Sequence, residues 1–135
     1  MKRKPLSIRN NNPLNIKKSK LFTWKGEIGQ DARGFVIFDS VTNGFRAAYR
    51  NMQTYRNKHG LTTIDGIINR WTKGDPAHIQ ENYKSYLENA TGLYRDVELS
   101  TSDYATLILE MSFFEGAKGR NRFTLDQVNQ GIALA

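Results

Sequence analysis

The spacing of apolar residues divides the chain into two parts, 1–41 and 42–135. After residue 41, apolar side chains recur every three or four positions, which is typical of helices that bury one face. The first stripe predicts a helix from about Asn43 to His59, ended by Gly60 as a C-terminal cap. Its members are Phe45, Ala48, Tyr49, Met52 and Tyr55.

Four later helices are predicted from residues that commonly begin a helix. Side chains of Ser, Thr and Asp accept hydrogen bonds from the free N–H groups of a first turn, and Pro fits the first helical position. Such signals occur at Thr62, at Asp75-Pro76, at Ser100 and at Thr124. Ser100 with Asp103 and Thr124 with Gln127 also have the spacing of a capping box.

The N-terminal part shows a different pattern, rich in Asn, Lys, Gly and aromatic residues. Phe22-Thr23-Trp24 and Gly34–Phe38 are aromatic and β-branched runs bounded by Gly, and they predict two short strands of one hairpin. Gly29-Gln30-Asp31 is the predicted turn. The expected fold class is therefore mainly α (α+β), a helical domain with a small N-terminal β-hairpin.

Length and composition favour one globular domain that spans residues 1–135. The chain has 135 residues, of which 39% are hydrophobic and 24% charged, and no linker or internal repeat interrupts it. It contains no cysteine, which excludes a disulfide scaffold, a thiolate metal site and a cysteine nucleophile. Its two histidines are too few for a zinc site without help from several carboxylates. Neither a metal nor an organic cofactor is expected.

The charge balance indicates a polyanionic partner. Lys and Arg number 20 against 13 Asp and Glu, so the net charge is +7, which attracts nucleic acid, anionic membranes or the bacterial cell wall. The basic start Lys2-Arg3-Lys4 precedes no apolar run of the kind that signal peptides carry. We therefore expect a soluble protein made in the cytoplasm, with no membrane span and with delivery by other means if it acts outside.

Glu115 is the most informative carboxylate in the sequence. It continues the apolar stripe of Leu107 and Met111 at the C-terminus of its predicted helix. Burial and the negative end of the helix dipole both favour a protonated carboxyl there, as a glycosidase acid requires. The alternative is a glutamate that simply pairs with a basic residue at the edge of the core, and position alone favours that alternative.

Glu27 lies beside Trp24 in the predicted hairpin. An aromatic ring next to a carboxylate suits a sugar site, since rings stack on sugar faces while carboxylates handle protons. A solvated turn residue is the alternative reading.

The opening residues resemble a family of small phage and prophage proteins. Ser7–Ile16 is similar to its opening motif, and the likeness continues through Trp24-Lys25-Gly26, Gly34–Ser40 and the stretch from Ile67 to Trp71. Members are labelled virion structural proteins or lysozyme-like proteins. This chain departs from the family at Leu14, where Gly is usual, and at 72–76, which replaces a shorter loop.

A weaker likeness is to bacterial glucosaminidases and lysozyme-like peptidoglycan hydrolases. Their catalytic Glu ends a helix, and an Asn-containing segment, a hairpin with a second Glu and an aromatic strand follow it. Asn12–Lys17, Glu27 and Phe35–Ser40 are similar to the last three parts in that order, while Glu115 lies downstream. The likeness implies a circularly permuted lysozyme-like domain, which compact domains tolerate because their termini are often close.

The resulting hypothesis is a phage peptidoglycan hydrolase, a glycosidase or lytic transglycosylase. In it Glu115 protonates the glycosidic oxygen, Glu27 positions water or stabilises the transition state, Trp24 stacks on a sugar, and Asn12 and Asn15 bind N-acetyl groups. It would act on peptidoglycan strands at the cell wall or periplasm, or be carried in the virion beside other virion proteins. The alternatives are a non-catalytic virion structural protein and a basic nucleic-acid-binding accessory protein.

Overall fold

The computed structural model describes residues 3–135, so Lys2 of the basic start lies outside the described residues. Within that range the chain forms a mainly helical fold with one small antiparallel hairpin, as the sequence predicts. The elements in chain order are α1 (Leu6–Arg9), β1 (Glu27–Gln30), β2 (Val36–Phe38), α2 (Val41–His59), α3 (Ile64–Trp71), α4 (Ala77–Thr91), α5 (Asp103–Phe114) and α6 (Leu125–Ala133).

The hairpin lies within the expected region, but its first strand and turn are displaced. The predicted strand at 22–24 is irregular, and Gly29 and Gln30 belong to β1 instead of the turn. Asp31 is the cause, because its carboxylate accepts hydrogen bonds from the backbone N–H groups of Arg33 and Phe35, both at 2.9 Å. Gly34 completes the turn with a φ of 87°, a conformation that glycine adopts without strain.

The segment before the hairpin is tied to it by one buried side chain. Asn12 donates from Nδ2 to the carbonyls of Ile16 and Val36, and its Oδ1 accepts from the Ile16 N–H, each at 2.9 Å. Val36 N–H also donates to Ile16 O at 2.9 Å. The Asn-rich segment therefore runs beside β2 as a third, irregular stretch of backbone next to the hairpin. It also contains α1, a four-residue helix for which the apolar pattern gives no signal.

The helix starts follow the capping signals, with three local differences. Thr124 and Gln127 form both arms of the predicted capping box at α6. Thr63, one residue after the predicted Thr62, caps α3, and α4 begins after Pro76 instead of Asp75. Ser100 is not the N-cap of α5, since only the return bond from Ser100 N–H to the Asp103 carboxylate forms, at 2.7 Å.

The core lies among helices α2 to α6, and Val36 and Phe38 of β2 are buried in it. Leu107, Ile108 and Met111 of α5 are fully buried. Gly131 lets α6 approach α2 closely, since a Cβ at that position would lie 2.5 Å from the Cβ of Phe45. In residues 3–135, no helix has both the length and the apolar character needed to cross a membrane.

Candidate functional site

One cavity of the described chain has a volume of about 650 Å³. It opens between the Asn-rich segment, the end of α3 and the facing sides of α4 and α5. The N-terminal segment contributes residues 14–17, and the end of α3 with its following turn contributes residues 71–73 and 75. Glu115 also lines the cavity, so a segment near the N-terminus and a residue near the C-terminus of the chain come together there.

Glu115 occupies the C-terminal end of α5, as the apolar stripe predicts. It is the capping residue of that helix, and its N–H donates to Met111 O at 2.9 Å. The next residue, Gly116, turns the chain away with a φ of 130°. The helix end therefore presents the carboxyl to the cavity while the backbone leaves in another direction.

Two neutral donors hold the Glu115 carboxyl. The Tyr83 hydroxyl donates to Oε2 at 2.9 Å, and Asn15 Nδ2 donates to Oε1 at 3.3 Å and to the Glu115 carbonyl at 3.1 Å. Tyr83 is itself fixed in the core, because it is buried and its ring stacks on Phe114 with centroids 3.9 Å apart. Among the salt bridges of residues 3–135, none involves Glu115, and both carboxyl oxygens accept hydrogen bonds from neutral side chains.

Burial raises the pKa of Glu115 above its ordinary value, and the charge of Asp75 acts in the same direction. Hydrogen bonds from Tyr83 and Asn15, with a contribution from the Trp71 indole, oppose this and lower the pKa, but burial is the largest effect. The pKa of Tyr83 is also raised well above its ordinary value by burial and by the neighbouring carboxyl. Tyr83 therefore remains a hydrogen-bond donor, and Glu115 holds its proton to higher pH than an exposed glutamate does.

Asn15 reaches Glu115 because of an unusual backbone conformation. Its φ is 53°, in the left-handed region that Asn tolerates better than most residues. Asn12 fixes the surrounding turn through the bonds described above. The consequence is that an amide 100 positions away in sequence is held against the carboxyl by a rigid loop.

Aromatic side chains form much of the remaining wall. Phe35, Tyr55, Trp71 and Phe114 all line the cavity, and each is half-buried. Tyr55 and Trp71 face one another edge to plane, with ring centroids 6.3 Å apart. Partly exposed rings beside a carboxyl with a raised pKa give the cavity apolar faces and polar groups at its edge.

The other predicted site residues lie outside the lining of this cavity. Glu27 has a nearly buried side chain that pairs with Lys18, Oε2 to Nζ at 2.7 Å, and it also accepts from the Trp24 N–H at 3.0 Å. Trp24 packs its ring edge to face against Phe22, with centroids 4.8 Å apart. Asn12 is fully buried in the backbone contacts of its own loop. Of the five predicted residues, the structure brings Glu115 and Asn15 together.

Sequence reasoning did not single out Tyr83, Trp71 or Asp75 for this site. Tyr83 and Trp71 fall on the apolar faces of α4 and α3, where an aromatic residue is normally a core residue. Asp75 fits a helix start, and that local signal accounts for it without any site. Their shared position depends on how three helices pack, which a one-dimensional pattern does not contain.

Comparison with known proteins finds a relative from a bacteriophage. The chain is similar to protein P5 of Pseudoalteromonas phage PM2, with 37% identity over 128 residues, which cover 93% of this chain and 78% of P5. None of the protein-family models matches the chain. The relative agrees with the resemblance to phage proteins seen in the sequence.

Proposed function

The chain belongs to the family of protein P5 of Pseudoalteromonas phage PM2, and we propose that it is a phage enzyme that cleaves the glycan strands of bacterial peptidoglycan. Glu115 is the general acid of this reaction. The observation that carries the proposal is the protonation-prone carboxyl of Glu115, held by Tyr83 and Asn15 in a cavity of about 650 Å³.

Cleavage of a glycosidic bond needs a carboxylic acid that is protonated at working pH. Burial of Glu115 favours this condition, because it raises the pKa of the carboxyl. The aromatic rings of Tyr55 and Trp71 offer apolar surfaces on which sugar rings stack. A cavity of this size falls within the usual range for ligand sites, about 300–1,000 Å³.

In the proposed reaction the Glu115 proton passes to the glycosidic oxygen as the bond to the anomeric carbon breaks. The carboxylate so formed then accepts a proton from the attacking hydroxyl. In a lytic transglycosylase that hydroxyl belongs to the same sugar, and the product is an intramolecular anhydro ring. In a hydrolase it belongs to water, and a second carboxylate usually assists. Asp75 is the other carboxylate in the lining.

The proposal assigns different roles to the remaining predicted residues. Asn15 positions the Glu115 carboxyl through its amide. Glu27 and Asn12 stabilise the hairpin and the loop through the contacts described above, and Trp24 packs beside them. The circular permutation inferred from the sequence requires Glu115 to lie close to Asn12 and Glu27. The hydrogen bond from Asn15 supports the approach of the Asn-rich segment to Glu115, but Asn12 and Glu27 themselves lie outside the cavity lining.

A second candidate is a non-catalytic structural role in the virion. The observation that favours it is the exposure of two large apolar side chains, Leu21 before the hairpin at 92% and Ile28 in β1 at 68%. Such residues are suited to burial against another protein. Both candidates are compatible with membership of a phage protein family.

The test is cleavage of purified peptidoglycan by the parent protein and by Glu115→Gln. We expect soluble glycan fragments from the parent and a loss of at least about 10²-fold in the variant, the usual scale for a general acid. Glu110→Gln is the matched control, because Glu110 lies on the same helix but outside the cavity, where it accepts from the Tyr86 hydroxyl at 3.0 Å.

The other possible results of the cleavage test would overturn either the choice of Glu115 as the acid or the enzymatic proposal itself. Full activity in Glu115→Gln would overturn the assignment of the acid. A parent protein that releases no fragments would overturn the enzymatic proposal and leave the structural role. For an active parent, mass spectrometry of the products separates the two reaction types, since an anhydro end is lighter by one water than a hydrolysed end.

A further inference from the structure

Two lysines, Lys17 and Lys73, lie in the lining of the Glu115 cavity. They come from different parts of the chain, the Asn-rich segment and the turn after α3. Neither ammonium forms a salt bridge within the part of the chain that the structure describes. Both charges are therefore available to a ligand in the cavity.

The backbone at Lys17 is fixed by the hairpin. Lys17 pairs with Phe35 in an isolated antiparallel bridge, and the following Lys18 N–H donates to Gly34 O at 2.8 Å. The Lys17 ammonium lies 6.0 Å from the centroid of the Phe35 ring. Its position at the cavity is thus set by strand pairing and by a contact with an aromatic ring.

The turn that carries Lys73 is also well braced. Asp75 N–H donates to Thr72 O at 2.9 Å, and the Gln80 amide donates to the same carbonyl at 2.9 Å. Gly74 has a φ of 94°, which allows the chain to turn tightly between Lys73 and Asp75.

The charges of the lining favour an anion. Lys17 and Lys73 contribute two positive charges, and Asp75 contributes one negative charge. Glu115 adds little while it keeps its proton. A neutral polysaccharide gains no attraction between opposite charges from the two ammonium groups, whereas a glycan with carboxylates does.

We propose that Lys17 and Lys73 form a carboxylate-binding subsite that makes the cavity select acidic, peptidoglycan-type glycan over neutral N-acetylglucosamine polymers. This inference rests on the proposed function, since it assumes that a glycan occupies the cavity. The carboxylate has two sources in peptidoglycan. One is the lactyl group of muramic acid, which is free where the peptide has been removed, and the other is the peptide stem.

The experiment measures binding, so that it does not depend on turnover. All proteins in the binding experiment carry Glu115→Gln, because this substitution keeps the size of the side chain and removes the acid; the protein with this substitution alone is the background protein. Three probes are titrated into it at low salt: a neutral chitin oligosaccharide, a glycan fragment stripped of peptide with free lactyl groups, and a fragment with its peptide stems. The cavity double variant carries Lys17→Gln and Lys73→Gln. The control double variant carries Lys25→Gln and Lys118→Gln, at two exposed lysines outside the cavity.

We expect the background protein to bind at least one acidic fragment more tightly than the neutral oligosaccharide. An exposed ion pair changes affinity by about two- to fivefold, so the cavity double variant should lose about tenfold for the acidic fragment and little for the neutral one. The control double variant should keep the preference. A preference for stripped fragments identifies the lactyl carboxylate, and a preference for stemmed fragments identifies the peptide.

Equal binding of neutral and acidic probes would overturn the inference, and so would an equal loss in the two double variants. These results are distinguishable from failure of the proposed function. Cleavage by the native protein with no dependence on Lys17 and Lys73 refutes the subsite alone. Lysine-dependent binding of acidic glycan by a protein that cleaves nothing refutes catalysis and leaves the subsite.

Discussion

Replacing Tyr83 by phenylalanine should move the titration of Glu115 to higher pH. The substitution keeps the ring that stacks on Phe114 and removes only the hydroxyl that donates to Glu115 Oε2 at 2.9 Å. That hydroxyl favours the ionised carboxyl and so lowers its pKa, against the larger upward effect of burial. Without it, burial is less opposed, and the carboxyl keeps its proton to higher pH.

The size of the shift follows from the strength of the bond that is lost. A hydrogen bond to a charged group contributes about 1.5–3 kcal/mol, and one between neutral groups about 0.5–1.5 kcal/mol. The ionised form therefore loses about 1 kcal/mol more than the protonated form. At about 1.4 kcal/mol for each pKa unit, the titration midpoint should rise by about 0.7 of a pH unit.

Two measurements follow the shift. Carbon NMR of the labelled Glu115 carboxyl reports its titration directly, with no need for substrate. The pH dependence of peptidoglycan cleavage should show the same displacement on its alkaline side, where the acid loses its proton.

Tyr86→Phe is the matched control for this prediction. Tyr86 lies on the same helix and also packs against Phe114, but its hydroxyl donates to Glu110 at 3.0 Å. Burial, together with that acceptor, raises the pKa of Tyr86 to about 12. The Glu115 midpoint should stay in place in Tyr86→Phe. A midpoint that falls in Tyr83→Phe, or that rises equally in both variants, would refute the electrostatic account of the site.

Three further predictions concern stability. Gly131→Ala should lower the free energy of unfolding by at least about 2 kcal/mol in denaturant titrations, because the new Cβ would lie 2.5 Å from the Cβ of Phe45. The control Gly29→Ala, whose Cβ meets no atom within 4 Å, should change the free energy of unfolding by less than about 0.5 kcal/mol. Thr124→Ala should cost about 1 kcal/mol through loss of the capping box at α6, and an unchanged denaturation midpoint would contradict that. Burial raises the pKa of Glu115, so the parent loses stability as pH rises through that pKa. Relative to the parent, Glu115→Gln should therefore gain stability as pH rises from the ordinary pKa of glutamate, about 4.3, through the raised pKa of Glu115, and a difference that does not vary with pH would contradict the linkage.

Local signals in the sequence predicted the helices and the hairpin well. Capping residues such as Thr124 act within one helical turn, so their effect is visible in four consecutive letters. The errors are also local. Asp31 competes for the backbone N–H groups of the turn and moves it beyond residue 30, and α1 is too short for an apolar period.

The candidate site was predictable only in part. Glu115 stood out because an apolar stripe ends on a charged residue, and the structure places it in a cavity lining. Its partner Tyr83 gave no such signal, since a tyrosine on an apolar helix face is ordinary. The ion pair of Glu27 with Lys18 depends on how the loop before β1 folds back, and the spacing of residues does not specify that.

The hydrogen bond between Asn15 and Glu115 joins residues that are 100 positions apart, and this separation has a consequence for the order of folding. Contacts between distant residues form late, because the chain entropy of a long loop must be lost before the contact is gained. The helices α2 to α5 can form and pack from nearer contacts, while the carboxyl is held by its amide donor only after the N-terminal segment docks. A partly folded or newly made chain would therefore contain Glu115 without its complete set of hydrogen-bond donors. The site would be complete only once the N-terminal segment has docked.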